Sequence, residues 1–208
     1  MRALVVAVLG LGLLLGPGLP APAEACAPLE QLRSQIDRVL KTLEDPELKR
    51  DTRGNARRAA VRRIADDIFD FQETAKRSLA RHWQPRTAAE RDEFVKLFSD
   101  LLERSYISKI ELYGGEKIVY VNDTVEGDQG LVRTKIITKG GAEVPVEYRM
   151  LKKGDRWLVY DVVIEGVSLV ANYRTQFNKI IQTSSYAELV KKMKVKQDEF
   201  IEGATKKS

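Results

Sequence analysis

The spacing of apolar residues changes twice along this chain, and this constrains the fold more than any other feature of the sequence. Over residues 28–113, apolar side chains recur every three or four positions, which is typical of helices with one buried face. Over 117–164 they alternate with polar residues, as they do in strands. Over 167–201 the helical spacing returns. This order predicts an α+β fold, with helices packed on a curved antiparallel sheet.

Turn and cap signals divide the first helical region. Helices are predicted over 28–43 and over 55–81, the second with an interruption at 70–71, where acidic and aromatic residues cluster. Residues 87–90, Thr-Ala-Ala-Glu, form a capping box that starts a further helix. The glycine pair at 114–115 ends that helix.

Four strands separated by short turns are predicted in the central region. The strands cover 117–122, 131–138, 144–150 and 157–164, and the turns lie at 126–128, 139–141 and 153–155. Short turns between consecutive strands predict an antiparallel meander. We interpret residues 26–208 as one domain, with a helical part at 28–113, a sheet at 117–164 and C-terminal helices at 167–201.

The N-terminus has the three parts of a secretory signal peptide. Arg2 precedes an apolar run over 4–15, and proline and then alanine residues follow up to residue 25. The run is too short to span a bilayer comfortably. Residues 1–25 are therefore predicted to be a cleaved signal peptide, and the mature protein is predicted to be periplasmic. A buried N-terminal helix is the alternative interpretation.

Cys26 is the only cysteine, so the chain cannot form an internal disulfide. A cysteine at the first mature position can carry a lipid anchor. However, the preceding residues 23–25, Ala-Glu-Ala, lack the usual leucine and place an acid at the site. We therefore predict a free, unlipidated thiol at Cys26.

Few residues are suited to catalysis or to metal binding. His82 is the only histidine, and residues 166–170 lack the second glycine of a nucleophile elbow. One histidine and one terminal cysteine do not make a metal site, and no phosphate-binding loop is present. The net charge of +5 comes without a basic and aromatic motif for nucleic acid. We predict no enzyme activity, no cofactor and no nucleic-acid partner.

Several sequence blocks resemble the MlaC family, also called toluene-tolerance auxiliary proteins, and the resemblance covers residues 68–200. The most specific block is Ile-Glu-Gly-Val-Ser-Leu-Val-Ala-Asn-Tyr-Arg at 164–174. It follows Lys-Lys-Gly-Asp-Arg-Trp at 152–157. Ala-Lys-Arg-Ser-Leu-Ala-Arg-His-Trp at 75–83 and Glu-Arg-Asp-Glu-Phe at 90–94 extend the match.

The resemblance implies a carrier that shields phospholipid acyl chains in the periplasm and supports outer-membrane lipid asymmetry. It implies a nuclear-transport-factor-like sheet with helices, a helical lobe and an apolar cavity between them. The implied partners are phospholipid, an outer-membrane lipoprotein–porin complex, and an inner-membrane ABC transporter with its lipid-binding substrate subunit. The carrier is expected to act as a monomer. The alternative is a non-transport envelope adaptor with a filled core, since periodicity does not distinguish a filled core from a lined cavity.

Helical and strand periodicities together predict which residues face the cavity. Apolar faces of period 3.6 and period 2 can meet only across one interior. The predicted lipid-binding residues are Phe71, Phe98, Leu102, Tyr106, Val146, Tyr148, Trp157, Val162, Val170, Tyr173 and Phe177.

Overall fold

The computed structural model describes residues 27–49, 55–110 and 113–205. The predicted signal peptide and Cys26 lie outside the described residues. In the three described ranges, no helix is both long enough and apolar enough to cross a membrane.

The helices begin and end near the predicted positions. They are α1 (Pro28–Glu44), α2 (Pro46–Lys49), α3 (Asn55–Ile68), α4 (Phe71–Leu79), α5 (Ala88–Ile110), α6 (Leu169–Thr183) and α7 (Tyr186–Thr205), with a 3-10 turn at Ala80–His82. The interruption at 70–71 is confirmed: Asp70 Oδ1 accepts a hydrogen bond from Glu73 N at 3.0 Å and caps α4. The capping box is confirmed as well, because Thr87 Oγ1 accepts from Glu90 N at 3.2 Å.

The sheet is a curved antiparallel meander of five strands rather than four. The strands are β1 (Lys117–Glu126), β2 (Gln129–Ile137), β3 (Glu143–Lys153), β4 (Arg156–Ile164) and β5 (Val167–Ser168), in the order β1-β2-β3-β4-β5. Register shifts in the β1–β2 and β3–β4 pairs mark bulges, which increase the local twist of a sheet.

The fifth strand corrects the prediction that residues from Val167 onward are helical. Glu165 and Gly166 both have positive φ, of 50° and 81°, so the chain reverses within two residues. Val167 and Ser168 then pair with Ile164 and Val163. A strand of two residues is too short to show an alternating pattern, so the sequence does not reveal it.

Most buried apolar side chains belong to two clusters, one among the helices and one against the sheet. One lies among α4–α7 and is built on Leu79, Phe94, Phe98, Phe177 and Leu189. The other lies between the sheet and α1 and α3, and it includes Leu32, Ile64, Val132, Met150 and Trp157. The sheet and the helical layer are therefore each packed, and the candidate site lies between them.

Ala80, at the end of α4, has a backbone conformation that suits glycine. Its φ is 48° and its ψ is −119°, where the Cβ of an L residue is crowded. We expect Ala80→Gly to raise the free energy of unfolding by about 1 kcal/mol, because relief of about 1–3 kcal/mol of strain exceeds the entropic cost of about 0.5–1 kcal/mol. Urea denaturation measures the change.

The control for this prediction is an alanine of ordinary helical geometry. Ala59 is exposed in the middle of α3. Ala59→Gly should lower the free energy of unfolding by about 1 kcal/mol, as glycine does inside helices. A loss of stability in both variants would contradict the strain at Ala80.

Candidate lipid-binding cavity

A cavity of about 600 Å³ lies between the concave face of the sheet and helices α1, α3, α4, α5 and α6. Natural protein interiors are close-packed, with few voids larger than a water molecule. A space of this size is therefore not a packing defect but lies within the range of ligand pockets, about 300–1,000 Å³. Most of its wall is aliphatic or aromatic.

Nine of the eleven residues predicted to face a cavity line this one. They are Phe71, Phe98, Leu102, Tyr106, Val146, Tyr148, Val162, Val170 and Tyr173. Val146 and Tyr148 lie two residues apart on β3, and the α5 residues lie one helical turn apart. The geometry thus brings together side chains from α4, α5, α6 and the sheet.

Trp157 does not line the cavity, which corrects its placement in the predicted set. It lies five residues before Val162 on β4, which is about 16 Å along a strand. Gln31 of α1 covers it there, accepting from Trp157 N at 2.9 Å and donating to Trp157 O at 2.7 Å. Gly130 leaves room for the indole, because a Cβ at that position would lie 3.1 Å from the ring.

Phe177 is also absent from the cavity wall. It lies on α6, one turn beyond Tyr173, and is turned into the cluster among the helices. Its ring centroid is 5.6 Å from that of Phe94 and 5.1 Å from that of Phe98, with edge-to-face geometry in both pairs. Phe177 therefore packs against Phe98 within the helical cluster and does not face the cavity.

Helices α1 and α3 form a large part of the wall that the sequence-based set omits. The additional apolar residues are Leu32, Ile36, Val39, Leu40, Leu43, Val61, Ala65 and Ile68. Their helical spacing is visible in the sequence, and it correctly indicates that each helix has a buried face. It does not say that this face covers the concave side of the sheet.

Tyrosine hydroxyls are among the polar groups of the inner wall. Burial raises the pKa of Tyr148 to about 12, and Thr134 is its hydrogen-bonding neighbour. Burial also raises the pKa of Tyr106, and a hydrogen bond with Tyr173 adds to the rise. These hydroxyls stay neutral at physiological pH, so the inner wall gains no charge from them.

Asp161 fixes the helix that closes one side of the cavity. It is 4% exposed and accepts hydrogen bonds from Ser168 Oγ at 2.7 Å and from Val170 N at 3.0 Å. Arg149 Nη1 lies 3.1 Å from its Oδ2. The carboxylate thus joins β3 and β4 to the N-terminus of α6, where a negative charge is favourable.

The cavity opens to solvent at a mouth that is lined by exposed residues. Ile110 is 39% exposed, and the Arg62 side chain is 45% exposed. Asp66 and Glu103 lie beside Arg62 on the same rim. Burial raises the pKa of Glu103, and Arg62 opposes this rise. The mouth is therefore lined by charged side chains, whereas most of the inner wall is aliphatic or aromatic.

His82 has an ordinary structural environment. Its Nε2 lies 3.0 Å from Asn178 Oδ1, which links the 3-10 turn to α6. Among the described residues, no group of three or more histidine, cysteine, aspartate or glutamate side chains is placed to hold a metal ion.

Comparison with solved structures shows the same fold. A phospholipid-binding protein from Ralstonia solanacearum, solved in complex with a phospholipid, superimposes with a TM-score of 0.72. The two sequences are 24% identical, and the match covers 84% of this chain and 98% of the other.

The characterised proteins to which this chain is similar include two of comparable sequence identity. The intermembrane phospholipid transport system binding protein MlaC of Haemophilus influenzae is 23% identical over 172 residues, 80% of each chain. The toluene tolerance protein ttg2D of Pseudomonas putida is 24% identical over 136 residues, 62% of this chain and 60% of the relative. The family model described as MlaC protein matches residues 33–195, which is most of the sequence. This chain belongs to the MlaC family.

Proposed function

We propose that this protein is a periplasmic carrier that holds a phospholipid by burying its acyl chains in the cavity. The observation that carries the proposal is the cavity itself, about 600 Å³ of predominantly apolar space between sheet and helices. The relatives support it: one is named as a binding protein of an intermembrane phospholipid transport system, and another was solved with a phospholipid.

The energetics of lipid transfer explain why such a cavity is needed. About 30 methylenes in a two-chain lipid, at about 0.8 kcal/mol each, would cost roughly 24 kcal/mol to expose to water. A carrier must therefore offer nearly equivalent apolar burial. The nine predicted residues that line the cavity, together with the apolar faces of α1 and α3, are the proposed acyl-chain contacts.

The charged mouth is the proposed position of the head group. A phosphate-containing head group is costly to bury without polar partners. The exposed rim residues Arg62 and Asp66 lie where the cavity meets solvent. A head group placed there stays hydrated while the chains are buried.

The proposal extends to the surroundings in which the carrier works. After removal of residues 1–25, the monomeric protein would move phospholipid between an outer-membrane lipoprotein–porin complex and an inner-membrane ABC transporter with its lipid-binding subunit. Its ligand is the lipid, without a cofactor and without catalysis. Family membership supports this role.

The test is the lipid content of the mature protein secreted into a bacterial periplasm. Native mass spectrometry should show an adduct of phospholipid mass, and solvent extraction should release intact phospholipid. Incubation with added phospholipid should release no fatty acid. Protein that is lipid-free and takes up no lipid from vesicles would instead support an adaptor with a filled core, and released fatty acid would indicate an enzyme.

A further inference from the structure

Charged side chains join the two helices that flank the mouth of the cavity. Arg62 on α3 directs its guanidinium to α5, where Nη2 lies 3.1 Å from Asp100 Oδ1 and Nη1 contacts the Glu103 carboxylate. Arg62 and Glu103 both line the cavity. These ion pairs therefore connect two walls at the point where the cavity meets solvent. We call Arg62, Asp100 and Glu103 the α3–α5 clasp.

The α5 side of the clasp is held in place by α7. Asp100 is buried, and its Oδ2 accepts a hydrogen bond from Gln197 Nε2. Arg104, one turn further along α5, donates to the Gln197 carbonyl oxygen at 2.9 Å. The Asp100 carboxylate is thus fixed by α5 and α7 together, whereas Arg62 is a long side chain that is 45% exposed. Reorientation of the Arg62 side chain is therefore enough to release both ion pairs of the clasp.

Helix α3 retains its own core contacts if it separates from α5. Ile64 and Ile68 belong to the cluster that joins α3 to the sheet and α1, and Val61 packs with Leu43. One turn beyond Arg62, the small side chain of Ala65 faces the cavity rather than a filled seam. Movement of α3 away from α5 therefore opens the cavity without dismantling a packed interface.

An ion-paired closure suits a mouth that must open repeatedly. Separated ions near the surface regain their hydration, so partly exposed pairs contribute only about 0–1 kcal/mol each. An apolar seam of the same length would expose hydrophobic surface on each opening. The clasp therefore resists opening moderately and can re-form.

We propose that the α3–α5 clasp is the gate of the cavity, and that its opening sets the rate at which phospholipid enters and leaves. The proposal rests on the carrier function proposed above. It assigns Arg62 a role in the kinetics of exchange, in addition to its place at the proposed head-group position.

The experiment measures transfer of a fluorescent phospholipid from the loaded mature protein to vesicles of phosphatidylethanolamine and phosphatidylglycerol. Arg62→Met retains the aliphatic stem and removes the charge, and it should accelerate transfer about 3- to 10-fold, in line with the loss of one or two partly exposed ion pairs. Added salt should accelerate transfer by the wild type and have a smaller effect on Arg62→Met.

The matched control is Arg63→Met, which removes a charge from the next, exposed position of α3. It should transfer lipid at the wild-type rate. Glu103→Gln breaks the clasp from the other side and keeps the test decisive if Arg62→Met does not fold. The gate would be overturned if folded, lipid-loaded clasp variants transferred lipid at the wild-type rate, or if Arg63→Met accelerated transfer as much as they do. Either result would leave the proposed carrier function unaffected. Absence of transfer by the wild type would overturn the carrier function itself.

Discussion

Val146→Trp should abolish phospholipid binding while leaving the lipid-free protein folded. Val146 is 3% exposed, lies near the middle of β3 between Thr134 and Ile164, and faces the cavity. An indole at this position fills space that acyl chains would otherwise occupy. Because that space is empty of protein, the larger side chain displaces lipid rather than neighbouring side chains. Native mass spectrometry and thermal melting on the same sample measure both effects.

Val132 provides a matched control on the next strand. It is 0% exposed and belongs to the packed cluster under α1, but it does not line the cavity. Val132→Trp should lower stability by about 1–3 kcal/mol or more, because overpacking a filled core forces neighbours from their rotamers. Equal destabilisation by the two substitutions would show that Val146 is ordinary core and would contradict the cavity.

The elements of the fold are predictable from the sequence because their signals are local. The alternation along β3, the Thr87 capping box and the break at Asp70 each depend on neighbouring residues, and all three are observed. The exception is β5. Its formation depends on the tight turn at Glu165 and Gly166, where both φ values are positive. This turn lets Val167 and Ser168 pair with β4, and two residues are too few to show an alternating pattern.

The cavity is less predictable because it depends on which elements meet. Strict alternation would place Trp157 and Val162, which are five residues apart, on opposite faces of β4. The register shift at Arg149/Met150 brings them to the same face, and the sequence indicates neither this bulge nor that α1 covers the Trp157 end of the strand. Helical spacing correctly indicates that Phe177 is buried, but not that it faces other helices. The α3–α5 clasp is the least predictable feature of the site. Arg62 and Glu103 are separated by 41 positions in the sequence, and nothing in the sequence distinguishes them from other charged residues on the surface.

The interaction that joins sheet to cavity wall is the buried carboxylate of Asp161, and its removal should have the largest effect on stability. Asp161→Ala leaves Ser168 and the Val170 amide without their acceptor and Arg149 without its partner. Arg149 is 45% exposed and regains hydration when it is unpaired, so the cost comes from the Ser168 hydroxyl and the buried Val170 amide, at about 1–3 kcal/mol for each group left without an acceptor. Urea denaturation should show a loss of this size, and bound lipid should fall with it, because α6 supplies Val170 and Tyr173 to the cavity wall.

An exposed ion pair separates this effect from the general loss of an acidic residue. Asp67 pairs with Arg38 at 3.0 Å, and both side chains are nearly half exposed. Asp67→Ala should therefore change stability by only about 0–1 kcal/mol. Asp161→Asn, which retains an oxygen that can accept from Val170 N, should fall between the two alanine variants. If Asp161→Ala were as mild as Asp67→Ala, the N-terminus of α6 would be held by packing alone, and the carboxylate would not be what positions this wall of the cavity.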